Sequence, residues 1–169
     1  IYDANGGDGD MADSVKPTDS VFNLSENSYT KTGYSFGGWS LTVDGSKAYN
    51  DKASYTMPAG GDTLYAVWTP ATQTISFDGN GATGGSTAQV SGDTGSSVTL
   101  TENGYTRDGY TFEGWSTTSS GAKEYDDEES ITMPAGGDTL YAVWKAVDQT
   151  LIYDANGGDG DMADSVKPT

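Results

Sequence analysis

The sequence predicts a mostly β protein, a tandem array of small β-rich repeats with at most a short helix in each. Three observations support this prediction. The chain of 169 residues resembles itself after a shift of about 76 residues, which is typical of a repeat architecture. It combines 24 glycines with eleven tyrosines and four tryptophans, a composition that favours strands and turns. No segment keeps the hydrophobic period of a long amphipathic helix.

Two long motifs recur in the same order in both halves of the chain. They are 'TKTGYSFGGWS' at Thr30–Ser40 with 'TRDGYTFEGWS' at Thr106–Ser116, and 'TMPAGGDTLYAVW' at Thr56–Trp68 and again at Thr132–Trp144. The opening segment Ile1–Thr18 also returns unchanged, as Ile152–Thr169. A fixed order at a fixed period indicates repeated domains. We therefore predict a first repeat at residues 1–70, a second at 71–147 and the start of a third at 148–169.

The final segment contains only the first part of a repeat, and a lone hairpin is marginally stable in water. We expect Ile152–Thr169 to be held in one of two ways. It either packs against the preceding repeat or is completed by strands of another chain, as in a fibre. The second is favoured because strand addition satisfies more backbone groups. Ile1 and Tyr2, with their copies Ile152 and Tyr153, are expected to make these terminal or inter-repeat contacts.

Two segments of each repeat are predicted as strands from their composition. Ser20–Leu24 ('SVFNL') and Ser97–Leu100 ('SVTL') are short runs with β-branched residues. In 'TLYAVW', both sets of alternating side chains are apolar, as expected for a central strand that is covered on both faces. This strand ends at Trp68 in the first repeat and at Trp144 in the second.

The 'GYTFEGW' motif predicts a strand with an irregularity. Phe112 sets one face of the strand, and Trp115 falls out of that alternation. A β-bulge at Gly114 would return the indole to the core, and Gly38 would do the same for Trp39.

We expect one aromatic-centred core in each repeat, because the chain has four tryptophans and few large aliphatic residues. The predicted core residues are Phe36, Trp39, Met57, Leu64 and Trp68 in the first repeat and Phe112, Trp115, Met133, Leu140 and Trp144 in the second. Core tryptophans are favoured over an exposed sugar-stacking platform for the same reason.

Charge and composition exclude several functions. The formal net charge of −17 repels nucleic acids and anionic lipid head groups. Without His or Cys the chain has no imidazole base, thiolate nucleophile or disulfide. No apolar run approaches the length of a membrane span. We therefore predict no nucleic-acid partner and no membrane insertion of this segment.

The opening segment carries oxygen ligands of the kind that bind calcium. They are Asp3, Asn5, Asp8, Asp10 and Asp13. However, the glycine and the bidentate Glu of an EF-type loop are out of register, and the middle copy, 'FDGNGATGGSTAQV', lacks the later acids. A glycine-rich turn is the favoured interpretation. We expect no cofactor, and calcium binding no tighter than roughly millimolar.

The cluster 'EYDDEES' at Glu124–Ser130 has enough carboxylates for a glycosidase pair. The first repeat has 'AYNDKAS' at this place, with one acid and one Lys. A solvated acidic loop is therefore favoured over an active site, and we predict no catalytic residues.

These motifs resemble a known family. 'YDANGG' or 'FDGNG', then 'GYTFEGW', then 'YTMPAGGDTLYAVW' is similar to the Listeria-Bacteroides repeat, also called the internalin B-repeat, which occurs in tandem on large bacterial surface proteins. The resemblance covers essentially the whole chain. It implies a small α+β domain of β-grasp-like fold, extracellular placement, and a role in stalks or adhesion, with no established catalytic residues.

The predicted function is a non-enzymatic structural module of a bacterial cell-surface or secreted fibrous protein. It would act as a stalk, spacer or filament building block in adhesion, with neighbouring copies of the same repeat as partners. The alternative is a binding module that contacts a host protein or glycan directly and presents an exposed apolar patch for this purpose. An enzyme would need a cleft with a strongly perturbed carboxylate.

Overall fold

The computed structural model of the chain describes residues 1–168, with side chains through residue 167. This part of the chain contains strands and turns and no helix, so the protein is mostly β as predicted. The strands are β1 (Tyr2–Asp3), β2 (Val21–Asn23), β3 (Tyr34–Ser40), β4 (Ser54–Thr56), β5 (Leu64–Pro70), β6 (Thr72–Asp78), β7 (Gly84–Gly85), β8 (Val90–Asp93), β9 (Ser97–Thr99), β10 (Tyr105–Thr106), β11 (Tyr110–Ser116), β12 (Ser130–Thr132), β13 (Asp138–Ala146), β14 (Asp148–Leu151) and β15 (Ser165–Pro168).

The chain divides into two compact units. Unit 1 comprises Ile1–Gln73 together with Gly92–Ser96 and Met133–Gly137. Unit 2 comprises the intervening segments and the chain from Asp138 onward. The predicted boundaries therefore assign three short segments of unit 1 to the second repeat, namely residues 71–73, Gly92–Ser96 and Met133–Gly137.

Unit 1 is built on a mixed three-stranded sheet in the order β1-β5-β3. β5 lies in the middle, parallel to β1 and antiparallel to β3, which confirms that 'TLYAVW' is a central strand. Leu64 and Ala66 on one face of β5 are buried, whereas Tyr65 and Val67 on the other are half-buried. β2 pairs with β4 in a separate antiparallel ladder, which confirms the strand predicted at 'SVFNL'.

The sheet of the second repeat has counterparts of the same three strands and one more, β8, at its edge, in the order β11-β13-β6-β8. β13 is parallel to β6 and antiparallel to β11. β9 pairs with β12, as β2 pairs with β4, which confirms the strand predicted at 'SVTL'.

The predicted glycine bulges are present in both copies. The register between β3 and β5 shifts between Phe36 and Gly38, and that between β11 and β13 shifts in the same way at Gly114. Gly38 has a φ of +135°, and a Cβ there would collide with the Tyr49 carbonyl oxygen. The bulge turns Trp39 inward, and its side chain is completely buried.

The core of unit 1 has an aromatic centre, with Trp39 packed against Tyr2, Tyr29 and Phe36. The buried members of this core cluster are Tyr2, Leu24, Tyr29, Trp39, Tyr55, Leu64 and Ala66, with Phe36 and Trp68 half-buried against it. In the second repeat Trp115 and Leu140 are buried, Phe112 packs on Trp115, and Trp144 is half-buried.

Three of the predicted assignments need correction. Met57, predicted for the core, is half-buried at the rim of a groove and does not belong to the residues packed against the core cluster. Met133 is buried as predicted, but it belongs to unit 1 and not to the core of the second repeat. Tyr2, predicted for terminal contacts, belongs to the core of unit 1, because β1 pairs it with Leu64 and its ring lies 4.9 Å from that of Trp39.

The final segment pairs with residues of its own chain. β14 and β15 form an antiparallel hairpin, with Thr150 opposite Val166. Ile152 and Tyr153, which were predicted to make terminal contacts, belong to no strand and are 71% and 43% exposed. Within the described residues the segment is therefore held through β14 and β15 and not through Ile152. Completion by strands of another chain stays a prediction.

Candidate functional site

An asparagine ties the opening turn of each repeat to its sheet. The Asn5 backbone N–H donates to the Asp3 carboxylate at 2.7 Å, and Asn5 has a left-handed φ of 48°. Its side-chain amide donates to the carbonyl oxygens of Val43, at 2.8 Å, and Ala66, at 2.9 Å. Asn80 makes the corresponding hydrogen bonds in the second repeat. The polar groups at the start of the candidate calcium loop are therefore engaged by the backbone.

The remaining acids of the opening segment do not converge. Asp8, Asp10 and Asp13 are exposed, and within residues 1–168 no three acidic side chains are grouped so as to hold a metal ion. The weak calcium binding expected from the sequence stays a prediction with no defined site.

The acidic cluster of the second repeat also serves local structure. The Glu124 carboxylate accepts hydrogen bonds from the hydroxyls of Thr117, at 2.8 Å, and Ser116, at 3.1 Å. The Thr117 hydrogen bonds lower the pKa of Glu124. Asp127 accepts from the backbone N–H of Asn103. A glycosidase acid needs a raised pKa, so the arrangement disfavours this chemistry at Glu124.

The aromatic side chains direct their polar atoms at the backbone of their own repeat. The Trp68 indole N–H donates to the Ala4 carbonyl oxygen, and the Tyr29 hydroxyl donates to that of Tyr2, both at 2.9 Å. The buried indole N–H of Trp39, by contrast, has no acceptor in the described part of the chain. An unsatisfied donor of this kind costs about 1–3 kcal/mol. The packing of the surrounding rings has to outweigh that cost.

Tyr55 makes a polar contact that the second repeat lacks. Its hydroxyl donates to the Asp62 carboxylate at 2.6 Å. Burial, and then this hydrogen bond, raises the pKa of Tyr55 well above its ordinary value. The corresponding residue of the second repeat is Ile131, which has no hydroxyl.

Unit 1 contains a contact that sequence analysis missed, which we call the Thr94 joint and define as Gly33, Ala71, Thr94 and Ala135. The Thr94 backbone N–H donates to the Ala71 carbonyl oxygen at 3.0 Å. The Thr94 hydroxyl lies 2.7 Å from the Gly33 carbonyl oxygen and 3.2 Å from that of Ala71. The Ala71 N–H in turn donates to the Gly33 carbonyl oxygen at 2.9 Å. Thr94 is consequently only 7% exposed.

Gly33 is the residue of the joint that tolerates least change. Its φ of +78° favours glycine. A Cβ at this position would lie 2.7 Å from the Thr94 hydroxyl oxygen and 2.9 Å from Ala135. The joint therefore depends on close backbone approach as well as on hydrogen bonds.

A sequence signal for the joint existed but was ambiguous. Thr94 opens 'TGSSVTL', whose counterpart is 'TDSVFNL' from Thr18, and the glycine of 'TKTGY' recurs in 'TRDGY'. A Thr in a Gly- and Ser-rich turn is usually exposed. Its burial here comes from Gly33, which is 61 residues away in the chain.

Comparison with known proteins assigns the family. A family model for the Listeria-Bacteroides repeat domain matches residues 1–67 and 74–143. The chain belongs to this family. Residues 68–73, between the two matched Listeria-Bacteroides repeats, include Ala71 of the Thr94 joint.

Two curated relatives each match two thirds or more of the chain. A protein of Evansella cellulosilytica, named as a Gly-rich membrane protein, is 32% identical over 141 residues, which is 79% of this chain and 16% of the relative. Internalin H of Listeria monocytogenes is 39% identical over 113 residues, 67% of this chain and 19% of that protein. The chain thus spans less than a fifth of either relative. No solved structure matches it.

No helix between residues 1 and 168 is long and apolar enough to cross a bilayer.

Proposed function

We propose that this chain is a non-enzymatic structural module of a bacterial cell-surface or secreted protein, in which Listeria-Bacteroides repeats are arranged in tandem as a spacer. Each repeat would be a β-grasp-like domain, an interpretation supported by the parallel pairing of β1 with β5 and of β6 with β13. The partners would be neighbouring copies of the same repeat. The charge of −17 would keep adjacent arrays apart.

The connector between β5 and β6 carries the spacer proposal. β5 ends at Pro70 and β6 begins at Thr72, so Ala71 alone separates them. Both backbone polar groups of Ala71 are hydrogen-bonded, its N–H to Gly33 and its carbonyl oxygen to the Thr94 N–H. A Gly/Ser tether has no such hydrogen bonds and behaves as a random coil. A connector held in this way suits a module whose length matters.

The extracellular location is supported by the names of the relatives, Internalin H and a Gly-rich membrane protein. Absence of enzymatic activity is supported by the roles of the carboxylates, since Glu124, Asp127 and Asp3 each accept hydrogen bonds from neighbouring protein groups.

The spacer role is tested with arrays in which residues 1–151 are repeated one to four times ahead of Ile152, displayed between a wall anchor and a labelled tip. We expect the anchor-to-tip distance, measured by super-resolution microscopy, to rise in proportion to copy number. A Gly/Ser linker of matched length provides the control, and its distance rises about as the square root of length. An array that follows the linker curve would contradict the proposal. So would retention of a host protein or glycan by the array without its tip, since a direct binding role would explain that result better.

A further inference from the structure

Unit 1 has an open groove on the face where Thr18 lies. Its volume is about 510 Å³, and its lining includes Lys16, Thr18, Met57 and Pro58. We call this surface the Thr18 groove. Thr18 is the counterpart of Thr94, because each residue opens the turn that precedes the first strand of the β2–β4 or β9–β12 ladder.

The backbone around the two threonines is the same. The Asp19 N–H donates to the Met57 carbonyl oxygen at 2.9 Å, and the Gly95 N–H donates to that of Met133 at 3.0 Å. The methionines donate in the opposite direction at both sites, since the Met57 N–H donates to the Ser20 carbonyl oxygen and the Met133 N–H to that of Ser96. Asp19 and Gly95 both have positive φ, at 61° and 80°. The two sites are therefore equivalent in geometry as well as in sequence.

They differ in what covers them. Thr94 is buried beneath Gly33 and Ala71, and its N–H and hydroxyl are hydrogen-bonded. Thr18 is exposed, and within residues 1–168 neither its N–H nor its hydroxyl has a partner. The neighbouring methionines differ in the same sense, since Met133 is buried, at 1% exposure, and Met57 is only half-buried.

A strand is also missing at the Thr18 groove. Ser14–Pro17 has the sequence 'SVKP', identical to that of β15, which pairs with β14. Ser14–Pro17 itself belongs to no strand. The groove consequently leaves open the same backbone edge that β14 occupies in the other copy.

We propose that the Thr18 groove is the docking site for the end of a preceding Listeria-Bacteroides repeat. In that repeat, the carbonyl oxygen at the counterpart of Gly33 accepts a hydrogen bond from the Thr18 hydroxyl. The carbonyl oxygen at the counterpart of Ala71 accepts one from the Thr18 N–H, so that Thr18 is bound as Thr94 is. The strand that follows its connector pairs with Ser14–Pro17, as β14 pairs with β15. The inference rests on the proposed function in that both assume an array of repeats.

Backbone geometry makes this site selective for its own kind. The occupant has to present two carbonyl oxygens, and one of them has to come from a turn in which a glycine has positive φ. That glycine would lie against the methyl group of Ala59, the counterpart of Ala135. A turn with a side chain at the glycine position would meet Ala59 as a Cβ on Gly33 would meet Ala135.

The test extends the full chain by placing a copy of residues 76–151 directly before Ile1, so that Leu151 precedes Ile1 as it precedes Ile152. Amide hydrogen exchange is then measured at Thr18 and Thr94 by NMR. We expect the Thr18 amide to exchange about tenfold or more slowly in the extended chain than in the original one, and the Thr94 amide to be protected in both. Peroxide oxidation of Met57 should slow in parallel, while Met133 stays resistant throughout.

Two pairs of substitutions sharpen the outcome. Thr18→Val should leave the melting temperature of the original chain unchanged and lower that of the extended chain, whereas Thr94→Val should lower both. In the added copy, Gly109→Ala should abolish the new protection of Thr18, and the neighbouring Asp108→Ala should preserve it. Unchanged Thr18 exchange and Met57 oxidation after the extension would overturn the docking site. If anchor-to-tip distance still rose in proportion to copy number, only the docking site would be rejected and the spacer role would stand.

Discussion

Ile1–Pro17 and Ile152–Pro168 have the same sequence, and they fold alike in the middle and differently at both ends. In the middle, Asn5 and Asn156 both have a φ of 48°. Their backbone N–H groups donate to Asp3 and Asp154 at the same distance of 2.7 Å. This turn forms in both places because its hydrogen bonds join residues two positions apart in the chain.

The ends differ because strands need partners. Tyr2 pairs with Leu64 and is 6% exposed, whereas Tyr153 belongs to no strand and is 43% exposed. At the other end the relation is reversed, since β15 pairs with β14 and Ser14–Pro17 is unpaired. The first copy thus pairs with β5, which follows it in the chain, and the last copy pairs with β14, which precedes it. Identical residues adopt the strand only where a ladder can satisfy their backbone groups.

The largest expected effect comes from removing the core on which Tyr2 packs. Trp39→Ala deletes a completely buried side chain that contacts Tyr2, Tyr29 and Phe36. We expect a loss of roughly 3–5 kcal/mol, enough to unfold a small unit. The first copy should then resemble the last, with the Tyr2 ring exposed to solvent.

Chemical denaturation with NMR of the Tyr2 ring measures both effects. Trp115→Ala is the matched control, because it removes the corresponding side chain of unit 2 and should leave Tyr2 buried. A Trp39→Ala protein with an unchanged denaturation midpoint would contradict the central place given to this residue.

Asn5 and Asn156 offer a direct comparison within the repeated segment. The Asn5 side chain joins the turn to Val43 and Ala66, whereas that of Asn156 has no hydrogen bond among the described residues. Asn5→Ala should therefore destabilise unit 1 by about 1–3 kcal/mol, since two backbone carbonyls lose their donor. Asn156→Ala should have little effect on the melting temperature. Equal effects from the two substitutions would show that the amide acts only through the local turn.

Local rules account for what the sequence could predict. The bulge at Gly38 follows from the broken alternation of one motif, and the central place of β5 follows from two apolar faces in one short run. Met57 was misplaced because its exposure depends on whether another segment covers it, which its own motif does not encode. Thr94 was missed because its partners lie in a glycine turn far along the chain. The spacing of an EF-type loop is also a local criterion, so it could be applied to the acidic segments from the sequence alone, and their weak calcium binding stays a prediction.

An alkaline effect should separate the first copy from the last. Asp62 lies beside the first copy, because the Ile1 nitrogen donates a hydrogen bond to its carbonyl oxygen, and the Asp62 carboxylate accepts a hydrogen bond from the Tyr55 hydroxyl. The pKa of Tyr55 is raised above its ordinary value of 10.0, so the folded state retains a proton that the unfolded chain releases. This contribution to stability is complete below about pH 10 and is lost as the pH rises further.

Melting temperatures of unit 1 at pH 9 and pH 11 test this linkage. We expect a fall between the two that is smaller in Tyr55→Phe, which cannot ionise at this position. The exchange of the β14 and β15 amides, which lie far from Tyr55 in sequence, should show no such dependence beyond the intrinsic rate. An identical fall in the parent and in Tyr55→Phe would assign the alkaline sensitivity to other tyrosines.

The smallest expected effect concerns the unpaired end of the first copy. Val166 lies opposite Thr150 in the β14–β15 hairpin, and Val15, its identical counterpart, is 89% exposed outside any strand. Val166→Gly should weaken the hairpin by about 0.5–1 kcal/mol, because glycine loses more backbone entropy in a strand. The amide protection of Thr150 and Leu151 should fall several-fold, with little change in the global melting temperature.

Val15→Gly is the matched control. It should leave all protection factors of unit 1 unchanged, because Ser14–Pro17 forms no strand ladder that the substitution could weaken. A comparable loss of protection around Val15 would mean that this end of the first copy is already paired, and the contrast between the two identical segments would then disappear.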